Sequence, residues 1–130
     1  MIVSNLSFEQ LYFSDWHYYY FEISFYKKGV RKMVRHVILW KLKNTDEDKE
    51  RVKLGIKEGL EALDGKIPGL REIHVHTVGL PGSSADVMLD SVFDDMQALE
   101  NYRIHPAHVA VADSRVRPYA EIRLCLNYEE

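Results

Sequence analysis

From Met33 onward the chain alternates between two hydrophobic spacings. Val34 to Lys43 has a period of two, with Val34, His36, Ile38, Trp40 and Leu42 on one face and Arg35, Val37, Leu39 and Lys41 on the other, which predicts a strand. Asn44-Thr45-Asp46 ends it, and Thr45 or Asp46 is placed to cap a helix over 46–64. In that helix Val52, Ile56, Leu60 and Leu63 recur at helical spacing and form one apolar stripe. Gly55 and Gly59 lie on the same helix, each costing up to ~1 kcal/mol relative to alanine. Either they admit close approach of another element, or they merely weaken the helix.

Gly65-Lys66-Ile67-Pro68-Gly69 predicts a turn. A second strand over 70–78 sets Ile73, Val75 and Thr77 against Glu72, His74 and His76. After the loop Pro81-Gly82-Ser83-Ser84, a third strand over 86–93 puts Val87, Leu89, Ser91 and Phe93 on one face. Asp94 or Asp95 starts the second helix, which carries Met96 and Leu99 and runs into His105-Pro106. Proline disfavours a helical residue before it but is well suited to begin a helix. A short helix ending near Ala112 therefore carries His108. In the last strand, over 119–128, Ile122, Leu124, Leu126 and Tyr128 alternate with Glu121, Arg123, Cys125 and Asn127.

The order strand, helix, strand, strand, helix, strand predicts an α+β, ferredoxin-like βαββαβ subunit. Its four-stranded antiparallel sheet would carry both helices on one face. The strands are apolar on both faces, as Val37 and Leu39 show opposite Ile38 and Trp40. An uncovered apolar face calls for a partner, and the expectation is a homodimer whose two sheets pack face to face.

A length of 130 residues suits one domain. The net charge of −3 gives no electrostatic footprint for nucleic acid or an anionic membrane. The single cysteine, Cys125, excludes an internal disulfide framework and fits a reducing, cytoplasmic setting. No apolar run approaches the roughly 18 residues of a membrane span. Residues 1–32 read differently, holding ten of the fifteen Phe, Trp and Tyr residues and no basic region of a secretory signal. One reading makes Met33 the biological start and 1–32 an upstream or added segment. The other makes 1–32 an aromatic arm that pairs with a sheet edge or a partner. The domain itself is expected over 33–130.

Chemistry-bearing residues gather around the proline break, where Tyr102, His105 and His108 fall within seven positions. A histidine and a phenol can work as a pair, one removing a proton α to a carbonyl and the other steadying the oxyanion. Both can equally be structural. His36 is the polar exception on an apolar strand face and needs a partner if buried, whether a core group or a ligand. His74 and His76 share a face but lack the further ligands of a zinc site, so no metal is expected. Asp86 and Asp90 share a strand face without further support, and Cys125 has no activating partner recognisable in the sequence.

Met-Val-Arg-His-Val-Ile-Leu-Trp-Lys-Leu (33–42), Ile-Pro-Gly-Leu (67–70) and Tyr-Arg-Ile-His-Pro-Ala-His-Val (102–109) resemble the stress-responsive A/B barrel (Dabb) family, in order and over about 33–128. The resemblance implies a dimeric α/β barrel and a stress-related context, and says less about activity. Plant polyketide cyclases of this family fold a linear tetraketide by aldol condensation. Their strand-one histidine matches His36, and their catalytic tyrosine and histidine match Tyr102 and His108. Their third-strand histidine falls on Val87 here, a departure from the cyclase pattern. What the resemblance implies is cofactor-free acid/base work by His36, Tyr102 and His108 on a partly apolar, carbonyl-bearing small molecule. Ile38, Trp40, Leu60, Val87 and His105 would line the pocket between sheet and helices. The competing expectation is a non-enzymatic dimer that binds or associates under stress. A cofactor-free monooxygenase is a third, by fold analogy alone.

Overall fold

The computed structural model describes residues 32–130, so the aromatic segment read over 1–32 lies, but for Lys32, outside the described residues. The elements are β1 (Val34–Leu42), α1 (Lys49–Glu61), β2 (Leu70–His76), β3 (Val87–Phe93), α2 (Met96–Ile104), α3 (Pro106–Val111), a π-helical turn (Ala112–Val116) and β4 (Ala120–Glu129). The strands form one antiparallel sheet in the order β2-β3-β1-β4. This is the expected ferredoxin-like arrangement, with one addition. The second helical stretch breaks at His105, as the proline predicts, and the addition is the wide turn at its end, in which Arg117 N–H reaches Ala112 O.

Local chemistry sets the boundaries. Asp48, rather than Thr45 or Asp46, caps α1 by accepting from Glu50 N–H, so the helix starts later than its pattern suggests. Asp95 caps α2 by accepting from Ala98 N–H. Gly69 closes the turn before β2 with φ +83°, and a Cβ there would stand 2.5 Å from Ala98 Cβ. Only glycine meets both demands.

The core lies between the helices and one face of the sheet. Val34, Ile38, Trp40 and Leu42 of β1 meet Val52, Ile56 and Leu60 of α1, with Ile73, Val75, Leu89, Phe93, Leu99 and Tyr102 completing the cluster. The outer edge of β2 is sealed by α1. Glu61 accepts from Val75 N–H and Lys57 donates to Val75 O, giving an edge strand the partners that a neighbour would supply. Glu61 would be raised by burial, but the Lys57 and Val75 hydrogen bonds outweigh this and hold it below the usual carboxylate range.

The two glycines of α1 play different parts. A Cβ on Gly59 would stand 2.9 Å from Val111 Cγ1 and 2.8 Å from Arg115 Cδ, so this turn of α1 packs directly against the end of α3 and the π-helical turn. A Cβ on Gly55 meets nothing, while its carbonyl accepts from Arg115. Gly55→Ala should therefore raise stability by ~0.5–1 kcal/mol through helix propensity. Gly59→Ala should lower it by ~1 kcal/mol, the clash exceeding the same propensity gain. Thermal unfolding of the pair checks this, and opposite signs are expected.

Register decides what each face of β4 does. Val37 pairs with Leu126 and Leu39 with Leu124, so the apolar row Ile122, Leu124, Leu126 and Tyr128 lies on the face away from the helices. These four side chains are 43–64% exposed. The polar row takes the helix side, with Trp40 opposite Arg123, Ile38 opposite Cys125 and His36 opposite Asn127.

Candidate functional site

His36 stands on β1 facing the helices and is 4% exposed. Its Nδ1–H donates to Asn127 Oδ1 at 2.5 Å, which leaves Nε2 with a lone pair. Burial holds His36 below the usual histidine range, the Asn127 bond opposing and the charges of Arg123, His108 and Arg103 adding to the effect. Ser91 of β3 donates to the His36 carbonyl at 3.0 Å and fixes the backbone behind the ring.

The break at Pro106 positions the other two groups. His105 ends α2 and caps α3, its Nδ1 accepting from Ala107 N–H at 3.1 Å. His108, one turn into α3, donates Nδ1–H to Arg103 O at 3.2 Å and so also keeps its lone pair on Nε2. Burial holds it below the usual histidine range; the Arg103 carbonyl opposes this, while Arg117, Arg103 and Arg123 add to it. Tyr102 comes up from α2 with its ring 4.1 Å from that of His108, 4.9 Å from Phe93 and 6.5 Å from His36, centre to centre. It is 1% exposed, and its hydroxyl has no hydrogen-bond partner among the described residues. Burial pushes that phenol up, so it stays protonated as a donor.

His36, Tyr102 and His108, far apart in sequence, are thus brought into one cluster: two neutral imidazoles, each with a free basic nitrogen, around an unspent O–H. The expected wall residues are placed differently. Ile38, Trp40, Leu60 and Val87 are all 1–5% exposed and belong to the packed core, while His105 is occupied with capping. Asn127 and Cys125 were the residues that sequence reasoning missed. Cys125 does have a partner, its Sγ lying 3.7 Å from His36 Nδ1 and 3.5 Å from Asn127 Oδ1. The signal was available in the alternation of β4 but needed the pairing with β1 to be read.

Other candidates prove local. His74 and His76 lie exposed on the opposite face of the sheet, and no group of three or more metal-binding side chains occurs among the described residues. Asp86 accepts from Leu42 N–H, and Asp90 takes Arg35 in an ion pair shared with Glu130. A depression of about 420 Å³ is lined by Met33, Arg35, Arg71, Glu72, Val92 and Glu130, away from the histidine cluster. Among the described residues no helix is long and apolar enough to cross a membrane.

The model of the stress responsive A/B barrel domain family matches residues 34–130, the whole of the sheet and helices described above, and the chain belongs to that family. A Streptomyces coelicolor protein described as uncharacterised is 38% identical over 81 residues, covering 60% of this chain and 81% of its own. A Bacteroides fragilis protein, described as dimeric with a ferredoxin-like fold and of unknown function, is 36% identical with a TM-score of 0.70, covering 75% of this chain and 96% of its own. The hydroxynitrile lyase of Passiflora edulis shares the fold at 18% identity and a TM-score of 0.61, covering 77% of this chain and 94% of its own.

Proposed function

We propose that this protein is a homodimer that binds a small, partly apolar, carbonyl-bearing molecule and carries out cofactor-free acid/base chemistry on it. The observation that carries the reading is the Tyr102 hydroxyl. A buried donor left unmade costs about 1–3 kcal/mol, and a carbonyl oxygen of a bound ligand would complete this one. Beside it, His108 offers Nε2 as a base that is neutral at pH 7. The natural step is removal of a proton α to a carbonyl by His108, with Tyr102 donating to the oxyanion and His36 as the second base. Arg103, Arg117 and Arg123 supply a positive field that favours the anion formed. The Passiflora neighbour, named a lyase, supports the view that this fold can host an enzyme. Dimer formation draws on the exposed row of β4 and on the dimeric Bacteroides relative.

A second reading, a non-enzymatic dimer acting by association, draws on how completely Ile38, Trp40, Leu60 and Val87 are buried. Native mass spectrometry of protein purified from its own host separates the two. The expected result is a dimer carrying a small added mass that is lost in His108→Ala and weakened in Tyr102→Phe. An empty dimer in every form would overturn the ligand reading in favour of the second.

A further inference from the structure

His36 on β1 and Asn127 on β4 stand directly opposite each other in the antiparallel register, on the face of the sheet that the helices cover. Residues paired in this way bring their Cβ atoms to within about 5.5 Å, close enough for an imidazole and a carboxamide to meet across the strands. They do meet, His36 Nδ1 lying 2.5 Å from Asn127 Oδ1. We propose that Asn127 is the positioning residue of His36, holding the ring as its Nδ1–H tautomer, with no charge of its own, so that the bare Nε2 is presented to the helix layer carrying Tyr102 and His108. The proposal rests on the reading of these three groups as a ligand site.

The amide decides the tautomer. A carboxamide oxygen can only accept, so the ring nitrogen against it must carry the hydrogen. Nε2 is the ring nitrogen farther from Cβ, and the side chain leaves β1 on the helix side, where the Tyr102 ring stands 6.5 Å away. Behind the ring, Ser91 holds the His36 carbonyl at 3.0 Å, so the strand beneath the imidazole is fixed as well. The choice of amide over acid matters equally. A carboxylate in the same place would accept the same hydrogen bond and add a negative charge that favours the imidazolium. Asn127 supplies the acceptor alone. The other charged and titratable groups around the ring are Arg123 and Cys125 on β4, Arg103 and Tyr102 on α2, and His108 on α3, the two arginines opposing a proton on it. His108 reaches the same tautomer by a separate route, through the backbone carbonyl of Arg103 at 3.2 Å, which no substitution of Asn127 removes.

Long-range 1H–15N correlation spectra of the 15N-labelled full chain read which ring nitrogen of each histidine carries the hydrogen, and His36→Gln identifies the His36 signals by their loss. At pH 7.5 the wild type should show both His36 and His108 in the Nδ1–H form. Asn127→Leu keeps the size of the side chain and removes the acceptor; it should turn His36 into a mixture of tautomers and leave His108 as it was. Asn127→Asp should keep the tautomer and raise the pH at which His36 takes its proton by about one unit or more. Asn127 is exposed and outside the core, so both variants should keep the wild-type circular dichroism. A wild-type His36 carrying its hydrogen on Nε2, a tautomer unmoved in Asn127→Leu or moved equally at His108, or a titration unmoved in Asn127→Asp overturns the proposal. A protein that shows the expected changes but carries no ligand in native mass spectrometry loses the proposed function and not the orienting role of Asn127.

Discussion

Leu124→Glu combined with Leu126→Glu should leave the protein monomeric at concentrations where the wild type sediments as a dimer. Both side chains point away from the helices, are 63% and 64% exposed, and continue a row formed by Ile122 and Tyr128 with Leu39 of β1 beside them. A contiguous apolar strip of this kind is uncommon on a protein that stays alone. Burying a leucine contributes about 1.5–3 kcal/mol, and a two-fold interface counts each position twice. The substitutions also strand four carboxylates against apolar surface. A rise of at least roughly 10³ in the dissociation constant follows from these terms, each 1.4 kcal/mol being a factor of ten. Sedimentation velocity over a concentration series is the measurement. A wild type that stays monomeric throughout, or a variant that still dimerises, would remove the face-to-face packing. The variant should keep its circular dichroism, since the core on the other face does not include these side chains.

That face illustrates what the pattern alone could convey. Alternation in β4 was plain, and the pairing of an apolar row with a polar row was legible from residue types. Which row met the helices was not, because β1 carries apolar groups on both of its faces and only the register with β1 assigns the rows of β4. The same register brings Asn127 and Cys125 to His36, so the rim of the candidate site emerged only with the sheet assembled. The break at Pro106 was legible because proline chemistry is local, and it leaves His105 at the cap of α3 and not in a pocket wall. The wide turn after α3 was not, since Ala112 to Val116 carries no breaker until Pro118. The start of α1 was missed by a few residues for a similar reason. Thr45, Asp46 and Asp48 are all competent caps, and residue type alone does not say that Asp48 takes the role.

Acidification should unfold the protein earlier than its carboxylates require, and His36 is the main cause. Burial holds His36 below its ordinary value in the folded state, so the unfolded chain binds the proton first as pH falls. Stability from this group is complete above the unfolded value near 6.5 and is lost below it, down to the folded value. Within that window each such histidine removes up to ~1.4 kcal/mol per pH unit. His108 shifts in the same direction, by burial first, but is only partly buried and contributes less. Glu61 acts in a separate, lower window, because its hydrogen bonds with Lys57 and Val75 are lost only as the carboxylate takes a proton. Chemical unfolding at pH 7.5, 6.5, 5.5 and 4.5 resolves the two. The wild type should weaken from pH 6.5 downward, and His36→Gln, which cannot take a proton, should be flatter between 6.5 and 5.5 while keeping the steeper fall below. Equal slopes in the two proteins would show that His36 is not the group being protonated. The acid sensitivity and the proposed chemistry then have one origin, since the burial that keeps His36 and His108 neutral at pH 7 also keeps their Nε2 lone pairs available as bases.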